Sequence, residues 1–365
     1  MNRKIKTLKP LKLLIAAGAT QKFVYMKALS DAVSQLGVEC KLVKESEYAT
    51  GFPSKNISEW FSNKKFKKLI SEFKPDAVFV DRQSHFGLES IKAGIPLFVY
   101  LRGHFWLEQE WAKKTIYKDP IMKTVIDLRA KTAEKCFRDS TAILPITKYL
   151  EGVVKEHYPN KPTDILSEGM DASLWYPQEG MNLKHPCVGL LQYSNWWGKT
   201  KEMMILPKVL EALPHVTFYW VGGGGAYEEK ILSLLEKYDN FKFLGRLQYP
   251  DQVRQYLTEI DVYALVTGLD TLGVTVLEAS LMKKPVVATD AAAIPEVIKN
   301  GITGYTAKEG DAVDLVEKLT ILLNDKKIAS EMSIAGYEFV KNNFSWDKMA
   351  TDLLSVINKH LNKVK

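Results

Sequence analysis

Asp270 and Glu278 are the two side chains whose type and spacing point most directly to chemistry. They lie in residues 267–279, TGLDTLGVTVLEA, directly after residues 260–266, an apolar run of strand length. Gly268 carries a turn signal, and from Gly273 the pattern turns helical, with Val274, Leu277 and Leu281 on one side. A strand, a tight loop and a helix start leave backbone N–H groups without intrahelical partners, an arrangement that holds anions. With Thr271 taken as the N-cap, Glu278 returns to the same face about two turns and roughly 10 Å along. An anion on those N–H groups would have a carboxylate beside it to accept hydrogen bonds from hydroxyls. The phosphates and ribose hydroxyls of a nucleotide sugar match that pattern. The stretch alone equally fits a surface loop in which Asp270 caps the helix and Glu278 is solvated.

The remaining elements must position this loop. Residues 12–17 read as a buried strand, followed by a turn at Gly18, Ala19 and Thr20 and a helix to Leu36, which Gly37 ends. The unit repeats through a strand at 38–43, a helix at 57–73, a strand at 77–80, a helix to Ala93 and a strand at 96–100. Such alternation implies a parallel sheet covered on both faces, with ligands at the carboxyl ends of its strands. Those ends carry Gly18, residues 81–85, and Arg102, Gly103 and His104. At such an end His104 can donate to a phosphate or sugar oxygen, and Arg102 is a comparable candidate; either also reads as an ordinary satisfied polar residue. A helix at 121–138, a strand at 142–145 and a helix at 148–157 complete the half, and the polar stretch 177–186 reads as a linker.

A second alternating series begins at 188–192. Residues 193–201 read as a loop, followed by a helix to Leu213 in which Pro207 fits only near the start or at a kink. The strand at 216–221 runs into Gly222, Gly223, Gly224 and Gly225, which let backbone approach a ligand closely. The dinucleotide fingerprint fails there, because Glu228 stands where a third glycine is needed, so nicotinamide hydride transfer is disfavoured. Strands at 241–244 and 284–289 follow, and amphipathic helices run to the end.

Composition narrows the function classes. A chain of 365 residues, 46% hydrophobic and 25% charged, is long enough for two globular domains. The net charge of +7 is Lys-driven and mild, and there is no clustered basic module for nucleic acid. Cys40, Cys136 and Cys187 lack metal-ligand spacing and imply a reducing compartment. Residues 11–19 are too short for a transmembrane span. Lys64, Lys65, Lys67 and Lys68 oppose Trp60, Phe66, Leu69, Ile70 and Phe73, which suits either a helix packed on a sheet or one lying on anionic lipid. The aromatic, Lys-rich segment 105–117 reads as an acceptor-side or membrane-facing surface. The expectation is a cytoplasmic protein, with peripheral contact at the inner face of an anionic membrane left open. No Ser/His/Asp elbow, His/Cys metal cluster or GxxxxGK[ST] loop supports acyl transfer, zinc hydrolysis or P-loop chemistry.

The order of motifs resembles the family 4 retaining glycosyltransferases (glycosyl transferases group 1) across nearly the whole chain. The residues that carry it are 165–171 (ILSEGMD), 221–225, 243–245, Asp261 and Val262, 270–278, Ile294-Pro295-Glu296, 301–305 and Phe344-Ser345-Trp346. The resemblance implies an α/β GT-B fold, two Rossmann-like doubly wound parallel-sheet domains facing each other across a cleft. Residues 1–180 with the crossing helix 347–365 would bind an acceptor, and residues 181–346 a nucleotide-sugar donor. The family's paired carboxylates fall on Asp270 and Glu278, so Asp replaces the usual first Glu. Glu278 should hold ribose hydroxyls, and Asp270 should approach the donor sugar. The N–H groups of Leu272, Gly273 and Val274 should face sugar and phosphate.

His104 matches an N-domain histidine near the pyrophosphate and transferred sugar, and Lys201 a phosphate-clamping lysine. The Arg usual before that lysine is absent, and Lys199 is its substitute. Gly223 and Gly224 belong to the donor side, Gly18 and Arg102 to the acceptor side. The resemblance implies catalysis by Asp270, His104 and Lys201, with no cofactor and no metal, a UDP- or GDP-type donor and a glycan, lipid-linked or small-molecule acceptor. A catalytically silent nucleotide-sugar-binding protein is the alternative.

Overall fold

The computed structural model describes residues 10–18, 21–51 and 62–362. Two parallel sheets organise them. The first contains β1 (Lys12–Ala17), β2 (Glu39–Lys44), β3 (Ala77–Asp81), β4 (Leu97–Leu101) and β5 (Ala142–Pro145), in the order β2-β1-β3-β4-β5. The second contains β6 (Cys187–Gln192), β7 (Thr217–Gly222), β8 (Phe241–Gly245), β9 (Val262–Leu265), β10 (Val286–Thr289) and β11 (Tyr305–Ala307), in the order β11-β10-β9-β6-β7-β8. The expected α/β architecture with two parallel sheets is therefore present. Strand order reverses between β1 and β3 and between β6 and β9, and crevices open at the carboxyl ends of strands at such switch points.

Sequence explains these layers simply. Every residue of β3, β4 and β7 is buried, as expected of strands covered by helices on both faces. The helix Lys64–Phe73 buries Phe66, Leu69 and Phe73 and exposes Lys64, Lys65, Lys67 and Lys68. Of the helix expected over 57–73, residues 57–61 lie outside the described residues, and residues 62 and 63 are not helical, the Asn63 side chain donating to Glu89 (2.9 Å). Trp60 lies outside the described residues. The one-turn helix Glu45–Tyr48 is too short for sequence periodicity to reveal.

Residues 197–201, expected as loop, are helical. Trp197–Thr200 is one α turn, Lys201–Ile205 is 3₁₀, and Leu206–Ala212 resumes α with Pro207 in its first turn. The tighter 3₁₀ step accommodates a proline that has no N–H to give. The final helix, Trp346–Leu361, returns to pack on the helix Gln21–Gln35, burying Met349, Leu353, Val356 and Ile357. His360 Nε2 lies 2.8 Å from Asp164 Oδ2, fixing that helix to the first half. Among the described residues no helix is long and apolar enough to cross a membrane.

Candidate active site

The loop after β9 is shaped by Asp270. Its Oδ1 accepts the N–H groups of Gly273 (2.7 Å) and Leu272 (3.1 Å), and its Oδ2 lies 3.4 Å from Lys199 Nζ. This is the local side-chain-to-backbone bonding that short acidic side chains favour before a helix. It corrects two expectations. The N-cap is Gly273, in the left-handed region at φ 77°, and not Thr271. Two of the three N–H groups assigned to a ligand are already occupied by Asp270, leaving Val274, the first helical residue, on the cavity wall. Burial raises the Asp270 pKa, but the Lys199 ammonium and the two N–H groups outweigh it and hold the carboxyl below its ordinary value.

Glu278 is not solvated. It is 4% exposed, on the buried face of the helix Val274–Leu281, and lines a cavity of about 550 Å³. Burial drives its pKa up to about 8; Tyr249, within hydrogen-bonding reach, lowers it, and the Glu168 charge raises it further. The carboxyl is thus mostly protonated at neutral pH.

The cavity lies between the two sheets at their carboxyl ends. From the first half come Tyr25, Arg82, Arg102 and Ile146, with Glu168 from the segment before the linker. From the second come Gln192, Lys199, Gly222, Arg246, Tyr249, Asp270, Val274 and Glu278. Arg102 forms a buried ion pair with Glu168 and stands 3.9 Å from Asp81. Burial opposes its charge, but Glu168, Tyr100 and Asp81 overcome this and raise its pKa. Burial raises the Glu168 carboxyl despite that partner.

Hydrogen bonds close the halves around the loop. Thr271 Oγ1 donates to the Arg102 carbonyl (3.0 Å), and Thr147 Oγ1 donates to the Thr271 carbonyl (3.2 Å). The Glu296 carboxylate accepts the N–H groups of Lys148 (2.7 Å) and Tyr149 (2.8 Å), at the start of the helix Lys148–His157. Trp111 also stacks on Trp196, beside Lys199, at 5.9 Å between ring centroids.

The other expected residues are distributed unevenly. Arg102, Lys199, Asp270, Leu272, Val274 and Glu278 share the cavity. Lys201 is outside its lining, with Nζ 2.6 Å from Glu309 Oε1. His104 is also outside it, N-capping the helix Phe105–Thr115 by accepting the Leu107 N–H at Nδ1 (3.3 Å), and burial lowers its pKa. Gly223 and Gly224 pack against protein: a Cβ there would strike Glu228 and Arg246 respectively, and Gly222 reaches the cavity instead. Gly18 is at the end of β1, off the lining. Tyr25, Arg82, Glu168, Arg246 and Tyr249 were not singled out from sequence; residues 81–85 and 165–171 marked two of these places only as segments.

Cys187 does have metal-type neighbours, which sequence spacing concealed. At the amino end of β6, away from the cavity, His185 Nδ1 faces Asp261 (2.8 Å), Nε2 faces Glu259 (3.0 Å), and the thiol is 3.7 Å from Nδ1. A carboxylate on each imidazole nitrogen satisfies this group as an ion-pair network.

The profile of the family described as "Glycosyl transferases group 1" matches residues 187–325, which contain β6–β11 and the Asp270–Glu278 loop. Residues 187–325 belong to that family. Over 168 residues the chain is 32% identical to a GDP-mannose-dependent monoacylated alpha-(1-6)-phosphatidylinositol monomannoside mannosyltransferase of Corynebacterium glutamicum, covering 44% of this chain and 43% of that protein. The chain thus matches under half the length of this relative. At the level of fold the likeness spans the whole chain. A glycosyltransferase from Rickettsia africae superposes with a TM-score of 0.71 at 15% identity, covering 97% of this chain and 99% of that one. Anabaena HepE, solved in complex with UDP-glucose, gives 0.67 at 13% identity, covering 96% and 100%. The fold is accordingly GT-B, two parallel-sheet domains.

Proposed function

We propose that the chain is a retaining, metal-independent glycosyltransferase that moves a sugar from a UDP- or GDP-type nucleotide-diphosphate sugar to a glycan, lipid-linked or small-molecule acceptor. The observation that carries this reading is the buried Glu278 carboxyl on the wall of a cavity between two parallel sheets, next to the Lys199–Asp270 pair at a helix N-terminus. Residues 181–346 hold the donor, and residues 1–180 with the last helix hold the acceptor. Glu278, as a carboxylate, accepts hydrogen bonds from both ribose hydroxyls. Lys199 and the helix start stabilise charge growing on the leaving diphosphate. The acceptor hydroxyl oxygen bonds to the anomeric carbon as the bond from that carbon to the phosphate oxygen breaks. The hydroxyl proton passes to the departing diphosphate, so no protein nucleophile is needed. Asp270 holds Lys199 and shapes the loop; His104, N-capping outside the lining, would meet the transferred sugar only through its Nε2 edge.

The test is release of nucleoside diphosphate from UDP-, GDP- and ADP-sugars, with and without EDTA, and the anomeric configuration of the product by NMR. EDTA-resistant transfer with retained configuration supports the reading, and an inverted or EDTA-abolished product contradicts it. A second reading, a silent nucleotide-sugar-binding protein, is favoured by Asp270, whose two oxygens are committed to Leu272, Gly273 and Lys199. Nucleotide binding without donor turnover would select it.

A further inference from the structure

We propose that Arg82 recognises an anionic group, phosphate or carboxylate, on the acceptor, so that the acceptor is a charged hydroxyl compound; this rests on the glycosyltransferase reading above. The cations on the cavity wall are unequally committed. Lys199 pairs with Asp270, and Arg246 donates to the Gly224 carbonyl (3.2 Å) and lies over the Tyr193 ring. Arg102 is neutralised by Glu168 and by Asp81. Arg82 differs: its nearest carboxylate oxygen in an ion pair, on Glu108, is 4.0 Å from Nη1, beyond hydrogen-bond length, and its buried Nε has no hydrogen-bond partner.

Its backbone adds a second observation. Arg82 immediately follows β3 and holds φ at 82°, a left-handed conformation that is costly for a side chain with a Cβ. Its N–H donates to the Tyr100 carbonyl (3.1 Å), which fixes that turn on β4, and its side chain lines the cavity on the first-half wall. A strained residue presenting a guanidinium with spare donors matches the planar, bidentate geometry of phosphate and carboxylate oxygens. It stands on the opposite half from Lys199, so one cation serves the departing diphosphate and the other the incoming acceptor.

The experiment measures transfer to paired acceptors by the full chain: fructose 6-phosphate against fructose, glycerate against glycerol, and phosphatidylcholine vesicles carrying phosphatidylinositol against the same vesicles carrying diacylglycerol. The expected result is transfer to an anionic member at least tenfold more efficiently than to its neutral partner. Arg82→Gln should lower kcat/KM for that acceptor at least tenfold, mainly through KM, while the residual neutral-acceptor rate changes less than threefold; Arg82→Lys should recover part of the loss. The soluble and vesicle arms separate a free phosphate or carboxylate from a lipid headgroup. Donor turnover with neutral acceptors only, or equal losses for both members in Arg82→Gln, overturns the proposal alone. No donor turnover with any acceptor overturns the glycosyltransferase reading and the proposal with it.

Discussion

Lys199 Nζ stands 3.4 Å from Asp270 Oδ2, while Oδ1 of the same carboxylate closes the turn onto Leu272 and Gly273. One side chain therefore ties a cation from the helix after β6 to the loop after β9. Lys201, two residues on, faces Glu309 instead. Lys199→Ala should consequently cost roughly 3 kcal/mol in transition-state stabilisation, and Lys201→Ala distinctly less. Steady-state kcat/KM for the donor ranks the two, and a larger loss in Lys201→Ala would reverse the assignment.

Glu278 links the site to stability. Its pKa in the folded chain, about 8, is above its ordinary value of 4.5, so the folded state holds a proton that the unfolded state releases. Stability from this group is full below about pH 4.5 and is lost as pH rises through 8. Glu278→Gln removes the ionisable group, so it should stabilise the fold above pH 8, by on the order of a few kcal/mol. Thermal melts at pH 6 and pH 9 check this; the gain in Tm must be larger at pH 9.

Gly273 carries the turn at φ 77°, and a Cβ built there approaches Ile294 Cδ1 to 2.9 Å. Gly273→Ala should cost about 1–3 kcal/mol, from strain and crowding together. Urea unfolding reads the loss as a lower midpoint at an unchanged slope.

Much of the fold was legible because buried parallel strands are continuous apolar runs, and β1, β3, β4 and β7 stand at or within a residue of where those runs lie. Glu278 and Asp270 were legible because an anion-binding helix start follows a strand. The interior of the site was not. Arg102 and Glu168 are sixty-six residues apart and meet only when the segment before the linker runs past the end of β5, where the Leu166 N–H donates to the Pro145 carbonyl (2.9 Å). Tyr25 and Tyr249 are single aromatics in ordinary amphipathic surroundings. The engagement of Leu272 and Gly273 by Asp270 depends on a side-chain rotamer, which spacing does not specify.

Glu296 offers a test of closure. Its carboxylate caps the helix Lys148–His157 from the other half of the molecule, at 2.7 and 2.8 Å. Glu296→Ala should cost about 1–2 kcal/mol of that partly exposed contact. The change should appear as a higher KM for donor and acceptor together. Small-angle scattering should show a larger radius of gyration for the variant, and an unchanged KM and radius would remove Glu296 from closure.

The central claim is that Glu278 holds the donor's ribose. Calorimetric titration of UDP and GDP into the wild-type chain and Glu278→Gln at pH 8.5 tests it most directly. For the nucleotide that binds, the wild-type affinity should rise from pH 6.5 to pH 8.5, as the carboxyl with a pKa of about 8 ionises. Glu278→Gln should bind at least tenfold more weakly at pH 8.5 and show no such rise. Equal affinities for the two proteins at pH 8.5 would contradict the account.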